Sequence, residues 1–287
     1  MNDFDARLYK LVDAALQEDV GDGDHSTLCC IPSDVRGKAI LKIKQEGILA
    51  GVDVAEKIFK YKKPKAVFVR HMNDGEEMKY GEVAFEVETQ VQAILQLERL
   101  VLNCMQRMSG IATLTKKYTD KLKGYRTQLL DTRKTTPNFR LLEKEAVRIG
   151  GGINHRFGLF DMIMLKDNHI DYAGGIEEAI NRAYDYVQRY RPELKIEVET
   201  RTIDDVEKAV KIGNGKIHRL MLDNFTPEQI TEALKFVNGI FETEASGGIN
   251  LTTIEQYAST GVDYVSVGSI IHQAKSMDLS LKAVIHK

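Results

Sequence analysis

The sequence predicts an α/β protein in two parts, a small α+β domain in its first third and then an incomplete parallel α/β barrel. Three observations predict it. Between residues 38 and 88 apolar residues alternate with charged ones, as in strands with one wet face. From residue 127 onward, short apolar runs are separated by helical segments, and strands separated by helices pair in parallel. The chain of 287 residues is 43% hydrophobic and 29% charged, which is enough apolar material for a core and too much for a disordered chain.

Taken in order, Phe4, Leu8, Leu11, Val12, Ala15 and Leu16 recur with a helical period that closes at Gly21. Leu41 and Ile43 alternate with Lys42 and Lys44, and Val83, Phe85 and Val87 alternate with Glu82, Glu86 and Glu88, giving strands. Residues 52–61 form a short helix between them, and Asn73-Asp74-Gly75 a turn. Over residues 91–122, Ile94, Leu97, Val101, Met105, Met108 and Ala112 share one helical face, with a break expected at Ser109-Gly110. That stripe reads as core or interface packing, while Arg99 and Arg107 lie off it, where arginine is normally a solvated surface group. Strands are expected at 128–131, 162–166, 195–199, 220–223, 241–246 and 263–268. Thr226-Pro227-Glu228-Gln229 is a capping box with Pro in the first turn, and Thr252-Thr253-Ile254-Glu255 repeats it without the Pro. Six strand–helix units fall short of the eight of a complete TIM-like barrel. No Gly-x-Gly-x-x-Gly follows a strand, so a dinucleotide-binding sheet is disfavoured.

Charge and cysteine usage narrow the class. Forty Lys and Arg against 42 Asp and Glu leave a net charge of -2, with no global field to draw nucleic acid. No apolar run is long enough for a membrane span, and the acidic start Met1-Asn2-Asp3-Phe4-Asp5 is no signal peptide. Three cysteines, Cys29, Cys30 and Cys104, make neither a disulfide framework nor a zinc site. The expectation is a cytoplasmic enzyme or binding protein.

In a barrel the chemistry sits at the C-terminal ends of the strands. Those ends read Asp131-Thr132-Arg133-Lys134, Lys166-Asp167-Asn168-His169, Glu199, Asp223-Asn224, Ser246-Gly247-Gly248 and Gly268-Ser269. Residues 132–169 hold seven Lys and Arg against four Asp and Glu, the one local excess of positive charge outside surface helices. Arg140, Lys144 and Arg148 share a helical face and are expected to be solvated. Arg133, Lys134, Arg156 and Lys166 fall in loops or at strand ends, where buried cations need an anion. Arginine grips carboxylate or phosphate with two prongs, and lysine acts as a point charge. The Gly/Ser ends at 246–248 and 268–269 suit a phosphate held by backbone N–H groups, or else simply turn the chain. Glu199 and Asp223 offer the hard oxygens magnesium uses alongside water and substrate phosphate, with an ion pair to Lys166 as the alternative. His155 lies in a glycine-rich loop beside Arg156. No nucleophile elbow and no zinc-spaced histidine pair is present. Residue chemistry alone therefore points to an anion-binding barrel for phosphate and carboxylate groups, with magnesium.

The motifs resemble a known family. Glu98-Arg99 with Leu102-Asn103, Met108 to Thr113, Asp131 to Pro137, Gly150-Gly151-Gly152 with Asn154-His155-Arg156, and Lys166-Asp167-Asn168-His169 are similar to quinolinate phosphoribosyltransferase. Glu197-Val198-Glu199, Leu222 to Phe225, Glu244 to Ile249 and the early Glu18 to Gly21 with Gly23-Asp24 continue the match in order. The resemblance implies an N-terminal α/β sandwich over residues 1–112, a catalytic incomplete barrel over 113–270, and a tail at 271–287 returning to the first domain. It implies transfer of phosphoribosyl from 5-phosphoribosyl 1-pyrophosphate to quinolinate with magnesium, giving nicotinate mononucleotide, pyrophosphate and carbon dioxide in NAD biosynthesis. It also implies an obligate homodimer, in some members assembled to a hexamer, with no nucleic-acid or membrane partner.

Residue by residue, Arg99 is expected to reach the partner's site, and Arg133, His155 and Arg156 to surround the quinolinate carboxylates. Lys134 and Lys166 match substrate-contacting lysines. Thr132 belongs to the same matched segment as Arg133 and is expected in the substrate site. Glu199 and Asp223 match the carboxylates around magnesium and the ribose hydroxyls, and Ser246, Gly247, Gly248, Gly268 and Ser269 the 5′-phosphate loops. Lys134, Lys166, Glu199 and Asp223 are the expected catalytic set. Two departures stand out. His25-Ser26-Thr27 has Ser where the family pattern has Thr, and the stretch Asn214 to Arg219 is longer than expected but at the strand end remote from the site, which it should leave untouched. A paralogue associated with molybdenum transport lacks the full Asn-His-Arg and Lys-Asp-Asn-His motifs, both present here. Nicotinate phosphoribosyltransferase takes a substrate with one carboxylate fewer, so the cation density over 133–166 favours the dicarboxylate. A non-catalytic phosphate sensor would not need both Glu199 and Asp223.

Overall fold

Local signals start the chain as expected. The Asn2 side chain accepts from Asp5 N–H and opens helix α1, Asp3–Asp19, and the Asp24 carboxylate does the same for α2, His25–Cys30. The computed structural model describes residues 2–284. It continues with β1 (Arg36–Ile43), β2 (Gly47–Ile48), α3 (Val52–Lys62), β3 (Val67–Arg70), β4 (Glu77–Met78), β5 (Val83–Gln90) and the long α4 (Val91–Lys121). Then follow β6 (Gln128–Leu130), α5 (Arg140–Ile149), β7 (Ile163–Leu165), α6 (Asp167–Ala173), α7 (Ile176–Tyr190), β8 (Ile196–Thr200), α8 (Ile203–Gly213) and β9 (Arg219–Asp223). The last elements are α9 (Pro227–Val237), β10 (Glu242–Ser246), α10 (Ile254–Ala258), β11 (Tyr264–Ser266), α11 (Ser269–His272) and β12 (Leu279–Val284).

Packing divides the chain into two units. The first gathers Met1–Lys116, Thr135–Gly151 and Ile270–Lys287. Its antiparallel sheet has the order β12-β1-β5-β3. The alternation read from the sequence is its physical basis, since Ala39, Leu41 and Ile43 of β1 and Phe85 and Val87 of β5 are buried while Ile40, Lys42, Glu86 and Glu88 are wetter, although Ala84 is buried too. Strand β12 pairs with β1 from Lys38↔Val284 to Ile43↔Leu279. Residues 135–151, placed by sequence reading with the barrel segment, pack in this first unit.

Three sequence expectations are corrected here. Helix α4 runs unbroken through Ser109-Gly110. Both residues are small because backbone approaches them: Ser109 Oγ bonds Ala50 N–H and C=O at 3.0 and 3.2 Å, and a Cβ on Gly110 would lie 2.0 Å from the Lys275 carbonyl oxygen. Lys144 is not solvated but 2% exposed. Its helix buries Leu142, Glu143, Lys144, Ala146 and Val147, which at 3.6 residues per turn covers more than half the circumference. Arg107 is likewise no free surface group. It donates from Nε to the fully buried Glu143 at 2.9 Å and to the carbonyls of Ala274 and Ile271 at 2.7 and 2.9 Å.

The second unit is Lys117–Lys134 with Gly152–Ser269. Its six parallel strands have the order β6-β11-β10-β9-β8-β7. Strands β6 and β7 are the edges, and Ile153 bridges to Leu130 beside β6, so the barrel is incomplete as predicted. The Thr226 box is present, with its hydroxyl accepting from Gln229 N–H and Gln229 accepting from Thr226 N–H. The second box is not. Thr253 makes no side-chain cap, because the Asn250 carboxamide oxygen takes both the N–H and the hydroxyl of Thr252 and Asn250 N–H is bonded to Thr253 Oγ1. Among the described residues no helix is long and apolar enough to cross a membrane.

Candidate active site

The C-terminal ends of the parallel strands surround a cavity of about 290 Å³. Thr132, Arg133, Lys134, His155, Arg156, Lys166 and Ser246, all named from sequence, line it together with Met164, Met221, Glu244 and Ser266. The loop after β6 is shaped locally, with Thr132 Oγ1 accepting from Lys134 N–H at 3.1 Å. Arg156 donates to the Met162 carbonyl at 3.3 Å. Its guanidinium pKa lies below the ordinary value, first because it is partly buried and then because Arg133 carries a like charge beside it. Two guanidiniums held close enough to repel one another make a place where an anion is stabilised.

Lys166 Nζ stands 3.4 Å from Glu199 Oε2, and Glu199 Oε1 accepts from Asp167 N–H at 3.3 Å. The ion pair left open as an alternative is thus present. Asp223 ends β9, where its carboxylate accepts from the Asn224 amide at 2.7 Å. Asn224 and the glycines form one tight corner. Asn224 has φ +60° and donates its N–H to the Ser246 carbonyl at 2.7 Å. Gly247 has φ +97°, and a Cβ there would lie 2.2 Å from Asn224 Oδ1, so only glycine fits. Gly248 follows with φ +67°. Gly268 precedes α11, whose first residue Ser269 has its hydroxyl 3.3 Å from Tyr118 OH. Asp223, Gly247, Gly248, Gly268 and Ser269 are strand-end residues but do not line the cavity itself. Arg99 is an exposed residue of α4 in the first unit.

His155 is placed differently from a simple substrate ligand. Its side chain is 5% exposed, with Nε2 at 2.9 Å from Glu197 Oε2 and 3.2 Å from Glu244 Oε2. Its backbone N–H donates to Asp131 Oδ1 at 2.9 Å, and Nδ1 accepts from Arg156 N–H at 2.6 Å. Burial depresses the imidazole pKa, but the two carboxylates outweigh it and lift it to about 9. The Arg156 N–H works against that rise, since only an unprotonated Nδ1 can accept it. Burial and the Glu244 charge push the Glu197 carboxyl up to about 7.

Glu244 is also held by Arg219, whose guanidinium lies 3.2 Å from its Oε2, bonds Glu242 and stacks 4.2 Å over Tyr264. His155, Glu197 and Glu244 offer ligand atoms within 4.8 Å of one another, with the Arg219 guanidinium 3.2 Å from Glu244 and 3.9 Å from Glu197. The expectation that the stretch 214–219 leaves the site untouched is therefore corrected. Arg219 starts β9, but its long side chain runs to a residue that lines the cavity.

The residues missed by sequence reading follow a rule. Met164, Glu197, Met221, Glu244 and Ser266 each stand two positions before a named strand-end residue, respectively Lys166, Glu199, Asp223, Ser246 and Gly268. Residues two apart on a strand share a face, so the inner layer was legible once the outer one was assigned.

Comparison with known proteins agrees across the chain. The model of the quinolinate phosphoribosyl transferase N-terminal domain matches residues 24–109, and that of the C-terminal domain residues 111–282. Quinolinate phosphoribosyltransferase [decarboxylating] 1b of Nicotiana tabacum is 42% identical over 285 residues, covering 95% of this chain and 81% of that protein. The probable nicotinate-nucleotide pyrophosphorylase [carboxylating] of Bacillus subtilis is 39% identical over 279 residues, covering 97% and 94%. The crystal structure of NadC from Streptococcus pyogenes superposes with a TM-score of 0.88 at 39% identity, covering 97% of each chain.

Proposed function

The chain belongs to the quinolinate phosphoribosyltransferase family, and from that premise we propose that it transfers phosphoribosyl from 5-phosphoribosyl 1-pyrophosphate to quinolinate with loss of carbon dioxide. One observation carries the reading at the level of residues. Arg133, Lys134, Arg156 and Lys166 meet in one cavity that also takes Ser246 from the glycine corner. Such a lining suits a dicarboxylate beside a sugar phosphate.

The pyridine nitrogen forms a bond to the anomeric carbon as the bond to pyrophosphate breaks, through an oxocarbenium-like state that needs no protein nucleophile. Lys134 and Lys166 stabilise charge on the departing oxygens and hold the two polyanions together. Glu199 limits the freedom of Lys166 and, with Asp223, takes the ribose hydroxyls. The quaternised ring then accepts the electron pair released when the adjacent carboxylate leaves as carbon dioxide, and a proton fills that carbon. Arg133 and Arg156 orient both carboxylates.

Magnesium fits the donor set, because Glu199 and Asp223 end neighbouring strands with hard oxygens, too few for a protein cage but suited to an ion held largely by water and substrate. When bound, it would neutralise charge on pyrophosphate. A homodimer in which Arg99 completes the partner's cavity, and a cytoplasmic location that keeps Cys29 and Cys30 reduced, belong to the same reading. The test is incubation with quinolinate, 5-phosphoribosyl 1-pyrophosphate and magnesium. Carbon dioxide and nicotinate mononucleotide should appear together, with little turnover of nicotinate in the parallel reaction. Efficient use of nicotinate instead would overturn the assignment. Activity regained on mixing Arg99→Ala with Lys134→Ala chains would support the crossed site.

A further inference from the structure

Beneath the cavity lies a layer of charge that the reaction as written does not use: Glu197 on β8, Arg219 on β9 and Glu244 on β10, converging on His155. Glu197 and Glu244 are fully buried. A buried carboxylate must be paired and hydrogen-bonded, or it destabilises the fold. Two of them facing one imidazole would leave a net negative charge, and the Arg219 guanidinium, 3.2 Å from Glu244 and 3.9 Å from Glu197, supplies the missing cation. Arg219 is itself fixed by Glu242 at 2.9 Å and by the Tyr264 ring. His155 thus presents Nε2 to the two carboxylates at ion-pair distance, while Nδ1 accepts from Arg156 N–H. That last bond sets the backbone from which the Arg156 side chain enters the cavity.

We propose that Arg219, Glu244 and Glu197 are positioning residues that clamp His155 in one orientation and, through it, aim Arg156 at the dicarboxylate. The consequence for turnover rests on the function proposed above, whereas the clamp itself does not.

The test uses the full-length protein and the variants Arg219→Met, Arg219→Lys and Glu244→Gln. Loss of the clamp should raise KM for quinolinate about tenfold to a hundredfold, the span expected for a lost charge-assisted hydrogen bond. KM for 5-phosphoribosyl 1-pyrophosphate should stay within about twofold, and Arg219→Lys should recover part of the loss, because it restores the charge but not the fork or the ring contact. A purely structural role would instead lower the active fraction and the melting temperature while moving both KM values together, and that result would overturn the proposal. Nitrogen-15 spectra of the imidazoles give a readout independent of turnover. Wild-type His155 should give a single set of imidazole signals, and Arg219→Met should broaden or shift it. An unchanged His155 signal in Arg219→Met refutes the clamp even if the enzyme is active. A changed signal in a protein that does not use quinolinate would retain the clamp and remove the function.

Discussion

Two arginine sites in this protein are built from the same side chain and serve opposite ends. In the first unit, Arg107 meets Glu143 through Nε and spends its terminal nitrogens on the Ile271 and Ala274 carbonyls, while Glu143 also accepts from Thr136 N–H and Oγ1 at 2.8 and 3.0 Å. In the second, Arg156 gives one N–H to a carbonyl and feels Arg133 as a like charge. The first arrangement is complete in itself and ties helices α4 and α5 together. The second keeps two like charges side by side. A half-buried cation is thus informative through its neighbours: Arg107 meets a buried carboxylate, whereas Arg156 has another cation beside it.

The largest test of that contrast is Arg133→Ala. Removing one guanidinium from the anion site should lower kcat/KM for quinolinate by about a hundredfold or more, since charged hydrogen bonds contribute about 1.5–3 kcal/mol each. Its melting temperature should change far less than that of the buried ion pair's variant below. Glu143→Ala should do the reverse. Breaking a buried ion pair costs about 3–5 kcal/mol, so thermal unfolding should shift down by several degrees while the folded fraction keeps its KM values. Should Glu143→Ala leave stability intact, the distinction between the two sites fails.

A smaller effect concerns pH. His155 and Glu197 both bind protons more tightly folded than unfolded, with values of about 9 and about 7 against ordinary values of 6.5 and 4.5. Each therefore contributes stability that is fully present below its unfolded value and lost as pH rises through its folded one. Glu244 is lowered and acts in the opposite direction, its largest opposing influence being burial. The pair with His155 titrates as one unit. Urea unfolding should show stability falling by roughly 1–3 kcal/mol between pH 6.5 and 9, and His155→Asn should flatten that slope. The smallest change is expected for Arg148→Ala, whose exposed pair with Glu145 at 2.6 Å contributes about 0.2–0.5 kcal/mol. Activity and melting temperature should both stay near wild type.

Sequence alone determined the two-part fold, the parallel strands and the polar residues gathered at their C-terminal ends. Those properties rest on local rules: period-two alternation in β1 and β5, the Thr226 capping box, and charge gathered at strand ends between Arg133 and Lys166. What it could not decide was which cations are already neutralised. Arg107 and Lys144 look solvated by helical spacing, and Arg219 looks remote by its place at the start of a strand. Only tertiary packing brings Glu143 to Arg107 and carries the Arg219 guanidinium to Glu244. The physical reason is reach: these side chains are long enough to find partners far off in the chain, and burial makes that partnership far stronger than any neighbouring residue in sequence can reveal.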